Sequence, residues 1–252
     1  MTGFLRGVNP LAKMFGPLPV MAAVFLTEDL RVLAAFTLGT LVLLLVGALP
    51  GWRTSLALVL GVPVGVAVVA VSFGLWVDPA AVADTRTVLA FGPVELTRGG
   101  LAVGLVTGLR LAALVLLAMV SGLTTTGPEF VRASVQHLRV PYRVGYAALA
   151  SMRFVPRFGR ELEVIRSAHR VRGVAGGRGP VAGARRAGGY AVPLLASGIR
   201  HAERVSLSME SRAFGAAPTR TERHPVPLRV RDGVVLLAFW SACWAVPALV
   251  HG

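Results

Sequence analysis

A chain of 252 residues that is 54% hydrophobic yet carries a formal net charge of +14 is too apolar for a soluble domain of its size. Nucleic-acid-binding proteins set their positive charge on a soluble fold. Here the charge is bracketed by apolar runs of membrane-spanning length, so nucleic acid is set aside as a partner. Cys243 is the single cysteine, which excludes an internal disulfide framework or a CxxC metal site and leaves it as a small packing residue.

Apolar runs at 12–27, 30–49, 55–77, 100–122 and 233–250 predict about five transmembrane helices. A spanning helix needs about 20 apolar residues, so the first run is short. Arg6 and Lys13 ahead of it imitate a secretion signal, but no small-residue cleavage site precedes Thr27-Glu28-Asp29. The expectation is an uncleaved first segment. Gly61, Pro63 and Gly65 predict a kink in the third run. Arg110, inside the fourth run, reads as a snorkelling or locally paired side chain rather than a transport residue.

The connecting charges set an orientation. Arg6, Lys13 and Arg53 fall on one side, and Asp78, Asp84 and Glu95 dominate the loop after the third run. Residues 123–232 hold nineteen of the twenty-six basic residues. Basic connections stay in the cytoplasm, which predicts a cytoplasmic N-terminus, a cytoplasmic insert and an outside C-terminus. The chain therefore divides into a membrane domain of four helices (1–122), a cytoplasmic insert (123–232) and a last transmembrane helix (233–252).

Within the insert, Thr124-Thr125-Thr126-Gly127-Pro128-Glu129 is a helix-start signal, and Pro141 closes the short amphipathic helix it opens. From Val144 to Arg172, Phe154, Phe158, Leu162, Ile165 and Ala168 recur three or four apart, predicting a long amphipathic helix. Four glycines between Gly173 and Gly179, followed by Pro180, end it. A second such helix, about Ala182 to Ala213, carries an apolar stripe of Leu195, Ile199, Ala202, Val205 and Met209, and Gly215 and Pro218 close it. Both helices finish on an arginine followed by a small residue, Arg172-Gly173 and Arg212-Ala213. Singly, each reads better as a helix cap whose arginine complements the macrodipole. Two of them on paired amphipathic helices shift the reading toward docking, since a guanidinium offers a planar fork to carboxylates or carbonyls of a partner.

Arg153-Phe154-Val155-Pro156, followed by Glu161, Ile165, Ala168 and Arg172-Gly173, resembles the transmembrane T subunit of energy-coupling factor (ECF) transporters. Glu203, Met209, Glu210, Ser211 and Arg212 match the second copy of the motif. Asn9-Pro10 with Lys13, and Thr125-Thr126 before Pro128-Glu129, are further signposts. The resemblance implies an all-α polytopic membrane protein with a cytoplasmic pair of long amphipathic coupling helices. Each coupling helix would end in Ala-Arg-Gly inserted into one of two ABC ATPase subunits, moving a membrane S subunit that binds a vitamin or transition-metal ion. It assigns ATPase coupling to Ala168, Val171, Arg172, Gly173, Ser211, Arg212 and Ala213, and helix support to Arg153, Pro156, Glu161, Glu203 and Glu210. It implies no cofactor, no metal site and no catalytic residue. The motif departs from the family at Val171, Ser211 and Ala213; the two small replacements preserve size, while the bulkier Val171 loosens or re-aims the fit.

Three competing readings remain. A membrane enzyme would need clustered aspartates for metal, and Asp232-Gly233 is an isolated fragment of such a pattern. The permease of another ABC importer would carry one coupling helix, and a lipid scaffold would use the insert only to hold anionic lipid. No GxxxxGK[ST] loop is present, so ATP hydrolysis would fall to partners. His169 is expected at a helix interface rather than in catalysis.

Overall fold

The computed structural model describes residues 3–77, 87–91, 94–173, 179–218 and 221–251. It falls into two compact units: residues 1–133 with 226–252, and residues 134–225. The all-α polytopic architecture is as expected. Among the described residues, four helices are long and apolar enough to cross a membrane, at Leu30–Ala48, Trp52–Trp76, Arg98–Thr124 and Val230–Ala248; the first apolar segment, Pro10–Leu26, is shorter.

That first segment is two helices, α1 (Pro10–Phe15) and α2 (Pro17–Leu26). Asn9 caps α1 by accepting from the Leu11 amide at 3.0 Å, and prolines open both helices where a missing amide costs nothing. Helix α3 (Leu30–Leu43) starts on Asp29, whose carboxylate accepts from the Arg31 amide at 2.7 Å, and it runs into a π-helical turn at Leu44–Ala48. Helix α4 (Trp52–Trp76) continues through Pro63. Strands β1 (Thr87–Phe91) and β2 (Val94–Thr97) pair antiparallel, with Leu89 opposite Leu96, where the sequence suggested only loop. Their β-branched and apolar residues suit a short ribbon. Asp78 and Asp84 lie outside the described residues.

Helix α5 (Arg98–Thr124) packs along α4 through a stripe the sequence reading passed over. A Cβ at Gly100, Gly104 or Gly108 would lie 2.7 Å from the Gly74 carbonyl oxygen, 2.2 Å from that of Ala70 and 2.9 Å from that of Val66. Glycine every fourth residue brings the two backbones into contact, and the spacing G-x3-G-x3-G was the available signal. Helix α9 (Val230–His251) completes the unit, with Val235 and Phe239 joining Val24, Val32, Leu33, Leu116 and Val120 in its core. Val64 and Val68 stay about 60% exposed on α4, as suits a face turned to hydrocarbon.

Arg110 resolves as a paired residue. Its Nη2 donates to the Thr27 carbonyl at 2.7 Å, and Thr27 caps the C-terminus of α2, where the helix dipole favours a cation. Cys243 packs against the core with its thiol 3.7 Å from the Pro19 carbonyl oxygen.

In the second unit, α7 (Tyr142–Val171) and α8 (Pro180–Glu210) form a pair. Both begin a few residues earlier than the sequence pattern suggested. Pro180 opens α8, as suits a residue without an amide donor. Helix α6 (Gly127–His137) leads from the first unit into the second, and the Glu129 carboxylate reaches back to the Thr126 amide at 3.1 Å, half of a capping box.

Candidate functional site: two arginine-tipped helices

The helices α7 and α8 run in opposite directions. The Phe154 ring stacks on His201 at 4.2 Å between centroids, and Phe158 fills the space left open at Gly198. Ser197 donates to the Glu161 carboxylate at 2.8 Å, and His169 meets Tyr190 edge-on at 5.2 Å. Residue numbers thus rise along one helix as they fall along the other. His169 sits in this interface, as expected. The predicted stripe of α7 is half-buried throughout, at Phe154, Phe158, Leu162, Ile165 and Ala168.

The first part of the predicted stripe of α8 is not the packed face, although Val205 and Met209 at its end are half-buried. Leu195 and Ile199 are 65% and 61% exposed, while Ser197, Gly198 and His201 meet α7. Periodicity shows which residues share a face, but not which face is covered. A smaller polar face wins here because the small side chain of Ser197 and the bare backbone at Gly198 let α7's aromatic rings approach.

At their C-termini both helices place a left-handed residue directly after the motif arginine. The Gly173 amide donates to Arg170 O at 3.1 Å, and Gly173 takes a left-handed φ of 70°. At the other end, the Ala213 amide donates to Glu210 O at 2.9 Å and the Phe214 amide to Met209 O at 3.0 Å. That pair of bonds is a Schellman closure, with Arg212 at the C-cap and Ala213 in the left-handed position. Both arginines are exposed, each on the last residue before the chain reverses, and Val171 beside the first is 90% exposed. Capping and presentation are therefore the same structure. A helix of 30 residues is about 45 Å long, so opposite directions put Arg172 and Arg212 tens of ångströms apart, at the two ends of the pair.

Ala213 adopts φ 55°, a conformation glycine holds without cost and alanine does not. Ala213→Gly should therefore stabilise this tip by about 1 kcal/mol. In thermal unfolding of the purified chain, a rise of about 2 °C is expected, and a fall would show that Ala213 is not strained.

The remaining assigned residues divide between the two ends. Arg153 lines a cleft of 470 Å³ with Arg212, Ala213, Met209, Tyr142 and Tyr146. Two guanidinium groups on one rim favour an acidic occupant. Glu210 accepts from Ser206 at 3.5 Å near the same tip, and Ser211 donates to Ser208 O at 3.1 Å. Pro156 lies within α7, Ala168 O accepts from the Arg172 amide at 3.1 Å, and Glu203 is exposed on α8.

Sequence reasoning missed the meeting of the N-terminal signposts with Asp232. Lys13 is fully buried, and its ammonium donates to the Thr124 carbonyl at 2.8 Å. Asp232 accepts from the Asn9 amide at 2.8 Å and the Arg229 amide at 2.7 Å. Glu129 and Asp232 both stand within electrostatic reach of Lys13. The start of α1, the end of α5 and the start of α9 are thus joined through one buried polar cluster, beside the point where the chain passes from α5 to α6. Asp232 belongs to this lock, and its position before an apolar run was the only hint.

A helical membrane protein carrying two antiparallel amphipathic helices with arginine tips is the class these features define. A family model described as cobalt transport protein, CbiQ, matches residues 1–223. The chain belongs to this family. It is 28% identical over 159 residues to an energy-coupling factor transporter transmembrane protein, EcfT, of Bacillus subtilis, covering 60% of each chain. It is 31% identical over 173 residues to the protein of that name from Acidaminococcus fermentans, covering 62% of this chain and 63% of the relative. It is also 28% identical over 171 residues to a putative ABC transporter ATP-binding protein of Bifidobacterium longum, covering 64% of this chain and 22% of the relative. The chain spans about three-fifths of the length of the curated transmembrane relatives it matches. Its likeness to the T subunits of ECF transporters is borne out.

Proposed function

We propose that this chain is the non-catalytic coupling subunit of an ECF-type ABC importer. In this reading, Arg172 and Arg212 each dock into a separate ABC ATPase, and α7 and α8 pass ATP-driven motion to a membrane S subunit that carries a vitamin or a transition-metal ion. The observation that carries the reading is the pair of exposed arginines, each followed by a left-handed residue, at opposite ends of one antiparallel helix pair. One partner cannot occupy both ends at close range, whereas a two-ATPase motor needs two separated anchors. The presence of a similar stretch within a longer chain named an ATP-binding protein supports ATPases as the partners.

Two further features agree. Val192, Leu195 and Ile199 are more than 60% exposed on α8, an apolar surface suited to a membrane-embedded S subunit. The excess of arginine in 123–232 and the basic N-terminus support a cytoplasmic side for both, where ATP is available and where arginine also meets anionic lipid. Differential contacts of the arginine tips in the two nucleotide states of the ATPases would shift the conformational balance, as coupling requires.

Purification through a tag on this chain from its native membrane tests the assignment. Two ATPase copies and one S subunit per chain are expected. Recovery of the chain alone, with substrate turnover of its own, would favour a membrane enzyme.

A further inference from the structure

The segment that follows the second tip does not leave the helix pair. It folds back onto the opening turns of α7, and three side chains of α7 hold it there. Tyr142 donates its hydroxyl to the Ala217 carbonyl at 2.7 Å, and Arg143 donates Nη2 to the Gly215 carbonyl at 2.6 Å. Tyr146 donates to the Glu222 carboxylate at 2.9 Å. Tyr142 and Tyr146 are one turn apart, and both form T-shaped pairs with Phe214, with centroids at 5.7 and 6.1 Å.

The backbone is built for this closure. Phe214 is held by the Schellman bond to Met209, and Gly215 has φ 90°. A Cβ at Gly215 would lie 3.2 Å from Arg143 Nε, so both its dihedral and its space call for glycine. The clasp begins two residues after Arg212, at Phe214, and Tyr142 and Tyr146 wall the same cleft. A tip free to swivel would absorb a partner's movement in local rotation. A tip tied at three points to α7 passes that movement to the start of α7, where the chain arrives from α6.

We infer that Tyr142, Arg143 and Tyr146 are positioning residues that clasp residues 214–217 and Glu222, so that a load applied at Arg212 is delivered to the N-terminal end of α7. This inference rests on the docking reading above but makes a separate claim. Docking needs only Arg212 itself, whereas transmission needs the clasp.

The test uses the native complex purified through this chain and reconstituted in lipid vesicles, comparing substrate taken up per ATP hydrolysed. The variants are Arg143→Ala, Arg143→Lys, the double change Tyr142→Phe with Tyr146→Phe, and Arg212→Glu as the docking reference. Each hydrogen bond lost shifts the closed–open balance of the clasp by roughly fivefold, so Arg143→Ala should cut uptake per ATP by about fivefold and the tyrosine pair, which loses two bonds, by up to about 25-fold. The ATPases should remain bound and active in Arg143→Ala, whose side chain does not line the cleft beside Arg212. Arg143→Lys keeps a donor toward Gly215 and should restore most of the coupling, which a general loss of stability would not allow. Arg212→Glu should lose the ATPase at that tip instead.

Wild-type uptake per ATP in Arg143→Ala and the tyrosine pair, with Arg212→Glu still losing its ATPase, overturns the clasp and leaves docking intact. Retention of both ATPases in Arg212→Glu combined with Arg172→Glu sinks the docking reading itself. Should a variant assemble poorly, spin labels at Ser151→Cys and Ala216→Cys of the full chain, in a Cys243→Ser background, read the clasp directly. A narrow distance distribution is expected for the parent, a broadened one for Arg143→Ala, and recovery for Arg143→Lys. Equal widths in all three overturn the inference.

Discussion

Replacing both Arg172 and Arg212 by glutamate should abolish substrate uptake while leaving the chain folded in the membrane. Both side chains are exposed just beyond the last helical residues, Val171 and Glu210, and no hydrogen bond or ion pair among the described residues depends on either charge. A guanidinium desolvated in a partner groove and bonded to carboxylates is worth much more, with truncation of such a pair costing about 2–5 kcal/mol and reversal setting like charges against each other. Loss of that much at two tips lowers occupancy of the assembled state by more than about 100-fold. Each single reversal should release one ATPase and keep the other, because the tips stand at opposite ends of the pair. The measurements are ATPase recovery and uptake in vesicles, with helix content by circular dichroism as the control for folding. Unimpaired uptake by the double variant would remove the basis for the proposed function. A lipid scaffold would respond differently, losing binding as salt rises and ignoring which two arginines were changed.

Gly104→Ala should destabilise the membrane unit more than any other glycine-to-alanine change along α4 and α5. The added Cβ would sit 2.2 Å from the Ala70 carbonyl oxygen and 2.9 Å from its carbonyl carbon, both backbone atoms that no rotamer change can move aside. The two helices must separate, opening gaps along the whole Gly100–Gly108 seam, and forced overpacking of this kind costs about 1–3 kcal/mol. A drop of about 5 °C in the thermal midpoint of the purified chain is the expected scale. Gly61→Ala is the internal control. It also lies within a spanning helix, but no atom stands within 4 Å of its would-be Cβ, so its midpoint should hold or rise slightly. Equal behaviour of the two variants would show that α4 and α5 do not meet through Gly104.

Residues that declare themselves through local chemistry were readable in advance. Proline and glycine marked where α7 and α8 stop and start, because a missing amide and a left-handed φ are properties of single residues. The apolar face of α7 was readable because Phe154, Phe158, Leu162 and Ile165 leave one candidate stripe. The motif arginines were found at the helix ends for the same reason: an arginine before a small residue and a break is a local pattern.

The covered face of α8 was not readable that way. Leu195 and Ile199 make the stronger apolar stripe, yet they point outward, since a membrane protein has lipid and partner surfaces as well as its own core to receive apolar side chains. Nor did the chain order reveal the lock at Lys13. Its members Asn9 and Asp232 stand 223 residues apart, and a charge at the edge of an apolar run looks the same whether it faces water or a buried carboxylate. The small residue at 213 reads as a harmless substitute for glycine until the backbone is seen to need φ 55° there.

Composition and periodicity alone determined the membrane class, the helix ends and the two arginine tips, since these depend on the hydrophobic effect and on backbone limits acting over a few residues. Only the tertiary structure decided which faces meet, how closely α4 and α5 approach, and that the second tip is clasped to the start of α7. Those features depend on atoms brought together from distant parts of the chain, and their energies are of short range.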